Sequence, residues 1–110
     1  MAEIQRNYTE EQILAHAAKC GGKRNLREII ITDDEGVQVA FLVKKPSRSV
    51  VQAITAENDK KNVNGATKIL IGCVLEGDRE LLENDGSVFL ELTGKISELL
   101  SQTKSEVKKL

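Results

Sequence analysis

His16 and Cys20 are the two side chains from which this chain could most readily assemble acid–base or nucleophilic chemistry. General acid–base catalysis needs a tunable proton carrier, and nucleophilic catalysis needs an activated hydroxyl or thiol with a base beside it. The sequence offers one histidine, one tyrosine and no tryptophan for such work. His16 falls within the apolar side of a predicted helix, where the simpler reading is an interfacial or partly exposed helical residue. Cys20 precedes Gly21-Gly22 at the expected end of that helix. A helix C-terminus disfavours a thiolate, whereas an N-terminus would favour one. No catalytic residue is assigned, and the chain is read as a non-enzyme with no cofactor.

Three charged segments could bind rather than react. Glu76, Asp78, Glu80, Glu83 and Asp85 form an acidic stretch broken by Arg79. They are calcium donors by type, but the twelve-residue order with its central glycine and closing glutamate is missing, so no metal site is assigned. A solvated acidic surface or a dock for a basic partner fits better. Gly21-Gly22-Lys23-Arg24 sets glycines beside cations without the G-x-x-x-x-G-K-S/T order or a preceding strand, so it is no phosphate loop. Lys44, Lys45 and Arg48 stand where a strand hands over to a helix. They read as solvated cations, as a protein-docking patch or as phosphate contacts, and no aromatic neighbour is offered for stacking bases.

The elements that position these groups follow from patterning. Thr9 and Gln12 form a capping box for a helix over about Glu10 to Lys19, which the glycine pair ends. Residues before Tyr8 have no period and are expected to form a frayed arm. Leu26 to Thr32 and Val37 to Val43 are β-branched runs joined by Asp33-Asp34-Glu35-Gly36, a hairpin signature. Val37, Val39, Phe41 and Val43 should face the helices. Ile29 to Ile31 is apolar on both faces, which requires either a cover on each side or an exposed apolar surface.

Pro46 stops the second strand, and Ser47 caps a helix striped by Val50, Val51 and Ile54. The polar segment Glu57 to Asn62 separates it from the next helix. There Asn64 is the expected cap, and Ala66, Ile69, Leu70, Cys73 and Val74 repeat at helical spacing. Gly77-Asp78 breaks that helix, and Leu81-Leu82 fits a short helical turn. Asp85 or Ser87 caps a last helix with Phe89, Leu92, Ile96, Leu99 and Leu100 on its face, and with Gly94 inside it.

The expected fold is therefore α+β, a two-stranded antiparallel β-hairpin packed against a bundle of three to four short helices. At 110 residues the chain suits a single domain, with an ordered core over about 9–101 and a mobile tail over 102–110. With 40% apolar but 3% aromatic residues, its core is aliphatic around Phe41 and Phe89. Sixteen basic residues against seventeen acidic ones remove the global positive field of a general nucleic-acid binder. Two separated cysteines, no leader-like run and no bilayer-length apolar stretch indicate a cytoplasmic protein with no membrane association.

Three segments in order carry a family resemblance: Phe41-Leu42-Val43-Lys44-Lys45-Pro46-Ser47-Arg48, then Leu70-Ile71-Gly72-Cys73-Val74-Leu75-Glu76-Gly77-Asp78, then Asp85-Gly86-Ser87-Val88-Phe89. Together they resemble small phage or prophage proteins of the tail-assembly-chaperone type. In those, a hairpin ending in a K-P-x-R junction leads to a helical part holding a C-x-x-x-G-D element. The resemblance spans about residues 26 to 100. It implies a helper that binds a tape-measure-type tail protein during assembly and is absent from the finished particle. The N-terminal helix and the glycine pair lie outside the pattern.

Candidate partner-binding residues are Ile30 and Leu42 on the outer hairpin face, Lys44, Lys45 and Arg48 at the junction, and Asp78 in the acidic turn. The unpaired hairpin edge also permits a homo-oligomer. Two other readings stand beside the helper: a small nucleic-acid-binding regulator using Lys44, Lys45 and Arg48, and a structural oligomeric virion component.

Overall fold

A computed structural model describes residues 3–110. The chain runs through β1 (Ile4–Arg6), α1 (Glu10–Lys19), a 3-10 turn (Lys23–Asn25), β2 (Leu26–Thr32), β3 (Gln38–Lys44), α2 (Arg48–Asp59), α3 (Val63–Ile71), β4 (Val74–Glu76), α4 (Arg79–Asn84) and α5 (Gly86–Glu98). A second 3-10 turn, Leu99–Ser101, closes α5. Residues 102–110 carry no regular structure and are exposed.

Among the described residues the expected two-stranded hairpin is corrected to a mixed four-stranded sheet, and the expected three to four helices to five. The hairpin itself is present as β2 and β3, antiparallel with Ile29 opposite Phe41 and Ile31 opposite Val39. Two short strands complete the sheet. β1 runs parallel to β3 through Ile4–Gln38 and Arg6–Ala40, and β4 runs antiparallel to it through Leu42–Glu76 and Val43–Val74. A strand has two hydrogen-bonding edges. Since β2 takes one along its length, β1 and β4 share the other end to end.

Both additions escape a reading of sequence for physical reasons. Ile4-Gln5-Arg6 holds one apolar residue, too few to display a period of two. Instead of a frayed arm it is a strand, secured by the β3 backbone. Cys73 and Val74 extend the apolar spacing of α3, yet the helix ends at Ile71 because the chain turns to join β3, where the Lys44 amide donates to the Cys73 carbonyl at 2.9 Å. The cap of α3 is Asn62, not Asn64, with its side chain accepting from the Gly65 amide at 3.1 Å. α2 continues to Asp59, so Glu57 to Asp59 belongs to the helix. The capping box of α1, the Ser47 cap of α2 and the Asp85 cap of α5 follow the expected chemistry.

The sheet is covered on both faces. Ile29, Ile31, Val39, Phe41 and Val43 pack against Cys73, Leu82, Val88, Leu92, Ile96 and Leu99 from the C-terminal half. On the other face Leu26, Ala40 and Leu42 pack with Tyr8 and Ala17, beneath α1. The expectation of Leu42 on an outer face is corrected: it is only 3% exposed, because α1 supplies the missing cover. β3 is thus buried on both sides, with Ala40, Phe41 and Val43 all at 0% exposure.

A charged clasp ties this second face together. The Arg6 guanidinium donates to both Glu28 carboxylate oxygens at 2.9 and 2.8 Å, and the Tyr8 hydroxyl donates to Glu28 Oε2 at 2.5 Å. Because Arg6 is on β1 and Glu28 on β2, the clasp bridges across β3. The hydrogen bond from Arg6 holds the Glu28 carboxyl below its ordinary range. Burial, followed by the bond to Glu28, pushes the Tyr8 hydroxyl above its own.

Three substitutions test these contacts. Gly77 has φ +148°, and a Cβ there would overlap the Phe41 ring. Gly77→Ala should therefore lower unfolding free energy by about 2–3 kcal/mol in a denaturant titration. Gly94 lies in α5, and a methyl group added there would meet nothing within 4 Å, so Gly94→Ala should raise it by about 0.5–1 kcal/mol. A depressed carboxyl pKa contributes stability that is present above the unfolded value, about pH 4, and lost as pH falls through the folded value. Acid titrations should therefore show a steeper fall below about pH 4 for the wild type than for Glu28→Gln, which should cost about 0.5–1 kcal/mol at neutral pH.

Candidate functional site

The strand-to-helix junction gathers three lysines around one cavity. Pro46 ends β3, and the first turn of α2 begins after Ser47, whose hydroxyl accepts from the Val50 amide at 3.4 Å. Lys44 and Lys45 border a cavity of about 460 Å³, together with Lys19, Cys20, Asn25 and Ser47. Lys19 comes from the end of α1, so it joins this group only once α1 lies across the sheet. Periodicity could place Lys19 on α1 but could not say where α1 packs. No carboxylate borders the cavity, and none of its lysines forms an ion pair among the described residues. Arg48 is exposed on α2 and does not border it.

The other expected contacts are dispersed. Asp78 caps α4, its carboxylate accepting from the Leu81 amide at 3.1 Å, and it sits beside a shallow hollow with Glu80, Leu81 and Asn84. Asp85 caps α5, accepting from the Ser87 and Val88 amides at 3.0 and 3.3 Å. The Ser87 hydroxyl contributes most to holding the Asp85 carboxyl below its ordinary range. Two members of the acidic stretch therefore serve helix ends, while Glu80 and Glu83 remain exposed. Ile30 is 41% exposed and lies at the outer edge of the sheet.

His16 and Cys20 are engaged separately. His16 Nε2 lies 3.0 Å from Glu76 Oε1, linking α1 to β4 across the covered face. Cys20 terminates α1, its amide donating to the His16 and Ala17 carbonyls and its own carbonyl accepting from Asn25 Nδ2 at 2.6 Å. Both cysteines are unpaired, and burial pushes the Cys73 thiol above its ordinary range. Among the described residues no group of three or more His, Cys, Asp or Glu side chains has a metal-binding arrangement.

A second cavity, of about 370 Å³, has no counterpart among the sequence motifs. Ile71 of α3, Leu82 of α4 and Phe89 of α5 line it, with the exposed Arg79 and Glu83 of α4 at its mouth. The Arg79 guanidinium donates to the Val74 carbonyl at 3.1 Å, which fixes the cationic side of the opening. Leu82 and Phe89 read in sequence as ordinary residues of short helices, and Ile71 belongs to none of the expected stripes. Only the meeting of three helices brings them together. The arrangement suits one large apolar side chain whose neighbours carry charge.

No family model matches this chain, and no curated protein matches it. Among solved structures, it is similar to the uncharacterised protein rbstp2171 from Bacillus stearothermophilus, with a TM-score of 0.55 and 18% sequence identity over 86% of this chain and 97% of that one. A likeness at that identity concerns the fold. Among the described residues no helix is long and apolar enough to cross a membrane.

Proposed function

We propose that this chain is a non-enzymatic, protein-binding helper in phage or prophage tail assembly, and that its client is a tape-measure-type protein. The observation carrying this reading is that the three resembling segments form one structural unit. Phe41 to Arg48 supplies the central strand and the α2 junction, and Leu70 to Asp78 supplies β4 beside it. Gly77 is packed on Phe41, and Asp85 caps the helix that buries Val88 in the same core. The likeness therefore concerns a connected body rather than scattered short matches. The helper acts in the cytoplasm, in keeping with its two unpaired cysteines.

A long helical client presents apolar side chains at helical spacing and charges between them. The cavity between α3, α4 and α5 meets that pattern with Ile71, Leu82 and Phe89 inside and Arg79 and Glu83 at its mouth. Such a contact would hold the client reversibly, since a single pocket and a charged rim favour selectivity over very tight binding.

A second reading has its own support in the cavity bordered by Lys19, Lys44 and Lys45. A nucleic-acid-binding regulator would place phosphates there. Its binding would weaken steeply with salt and be lost when those lysines are neutralised.

Co-expression with a long helical tape-measure-type tail protein from the same genome should yield a complex in size-exclusion chromatography. Phe89→Ala and Glu83→Lys should each weaken that complex by roughly ten- to hundredfold, the range typical of pocket residues in an interface. An exposed substitution elsewhere, Val63→Ser, should leave it unchanged. If the pair never associates, or binds equally well after both cavity substitutions, the proposal fails.

A further inference from the structure

β2 is a seven-residue edge strand, and its hydrogen-bonding parity can be worked out residue by residue. The Asp33 amide donates to the Val37 carbonyl at 2.9 Å, and the Lys45 amide donates to the Asn25 carbonyl at 2.7 Å. In the antiparallel register these fix the odd-numbered residues as the ones bonded to β3. The amides and carbonyls of Glu28, Ile30 and Thr32 consequently point away from the sheet. None of them has a backbone or side-chain partner among the described residues.

Natural edges are usually blunted by proline, lysine, a bulge or a covering element. β2 has no proline, no lysine and no bulge. Its protection is limited to two charges: Glu28, held over the sheet face by Arg6 and Tyr8, and Arg27, whose guanidinium donates to the Leu26 and Arg24 carbonyls at 2.7 Å and so blocks the N-terminal end. The rest of the edge carries Ile30, 41% exposed, at its centre. Beside it a cleft of about 450 Å³ separates the edge from α5, with Ile31, Asp33 and Asp34 on one side and Val88 and Glu91 on the other.

We propose that two copies of this chain join edge to edge through β2, antiparallel about a two-fold axis at Ile30, to make one continuous sheet. Side-chain complementarity selects both the occupant and the register. With Ile30 opposite its copy, Glu28 stands opposite Thr32, Ile29 opposite Ile31, and Arg27 opposite Asp33. The last pair occurs twice by symmetry, and it brings each Arg27 to the cleft that holds Asp33, Asp34 and Glu91. Asp33 has a carboxylate oxygen to offer, because its two turn bonds, from the Glu35 and Val37 amides, both fall on Oδ1.

Neighbouring registers of the same parity are worse. Sliding so that Ile30 meets Glu28 sets Arg27 against Ile31. Sliding the other way, so that Ile30 meets Thr32, sets Glu28 against Asp34. One arrangement pairs the apolar centre with itself and opposite charges with each other. The clasp from Arg6 and Tyr8 to Glu28 need not open, since it lies over the sheet face and the new bonds lie in the sheet plane.

The full chain should sediment as a dimer. In a Cys20→Ser background, Ile30→Cys should form a disulfide-linked dimer on mild oxidation. Thr32→Cys alone should not, but mixed with Glu28→Cys it should. Ile30→Pro removes an amide that faces away from β3, so it should abolish the dimer while the circular dichroism stays folded. Ile30→Lys serves the same end if the proline variant melts. A wild type that remains monomeric at about 100 µM, well above the Kd of a specific edge pairing, would overturn the proposal. So would a dimer that survives in folded Ile30→Pro or Ile30→Lys, or failure of the Ile30→Cys variant to become cross-linked.

Discussion

Everything else in this fold is arranged around one strand that water does not reach. β3 is paired along both edges and covered on both faces, and Ala40 to Val43 have at most 3% exposure. Fully burying Phe41, Leu42 and Val43 contributes on the order of 1.5–3 kcal/mol each relative to exposure. Those residues alternate between faces, so neither layer of helices can leave without exposing part of the strand. Only a backbone fully bonded on both edges can sit so deep without unsatisfied polar groups. The short strands β1 and β4 supply the bonds that β2 cannot.

That constraint explains the division between rigid centre and available surface. The large core lies between the sheet and the C-terminal helices, with Leu92 and Ile96 at 0% exposure. The smaller layer on the opposite face is held by α1, the Arg6–Glu28–Tyr8 clasp and the His16–Glu76 link. Several polar side chains fasten the fold: His16 binds Glu76, Asp78 and Asp85 end helices, and Tyr8 donates to the Glu28 carboxylate. Among the described residues the surface carries a cavity with apolar walls, a basic hollow and the outer edge of β2.

Much of this is legible from local pattern. The capping box at Thr9, the turn at Asp33 to Gly36 and the alternation through Val43 locate α1, β2 and β3 because each signal is confined to neighbouring residues. The two three-residue strands are hidden because their stability comes from β3 and not from their own side chains. Leu42 illustrates the same limit: alternation identifies its face, but only the docking of α1 decides that the face is buried. For the candidate sites, Lys44 and Lys45 stand out because they are adjacent, whereas Lys19 and the cavity at Phe89 arise from helices meeting in space.

Hydrogen exchange resolved by residue measures the central role of β3 most directly, because amide protection reports which hydrogen bonds open only when the whole molecule unfolds. The amides of Ala40 and Leu42, which face β1 and β4, should exchange as slowly as those of Val39, Phe41 and Val43, which face β2. All five should follow the global unfolding free energy as denaturant is added. Rapid exchange at Ala40 and Leu42 alone, at rates like those of the Asp34–Gly36 turn, would contradict a strand held on both edges and return the sheet to a bare hairpin.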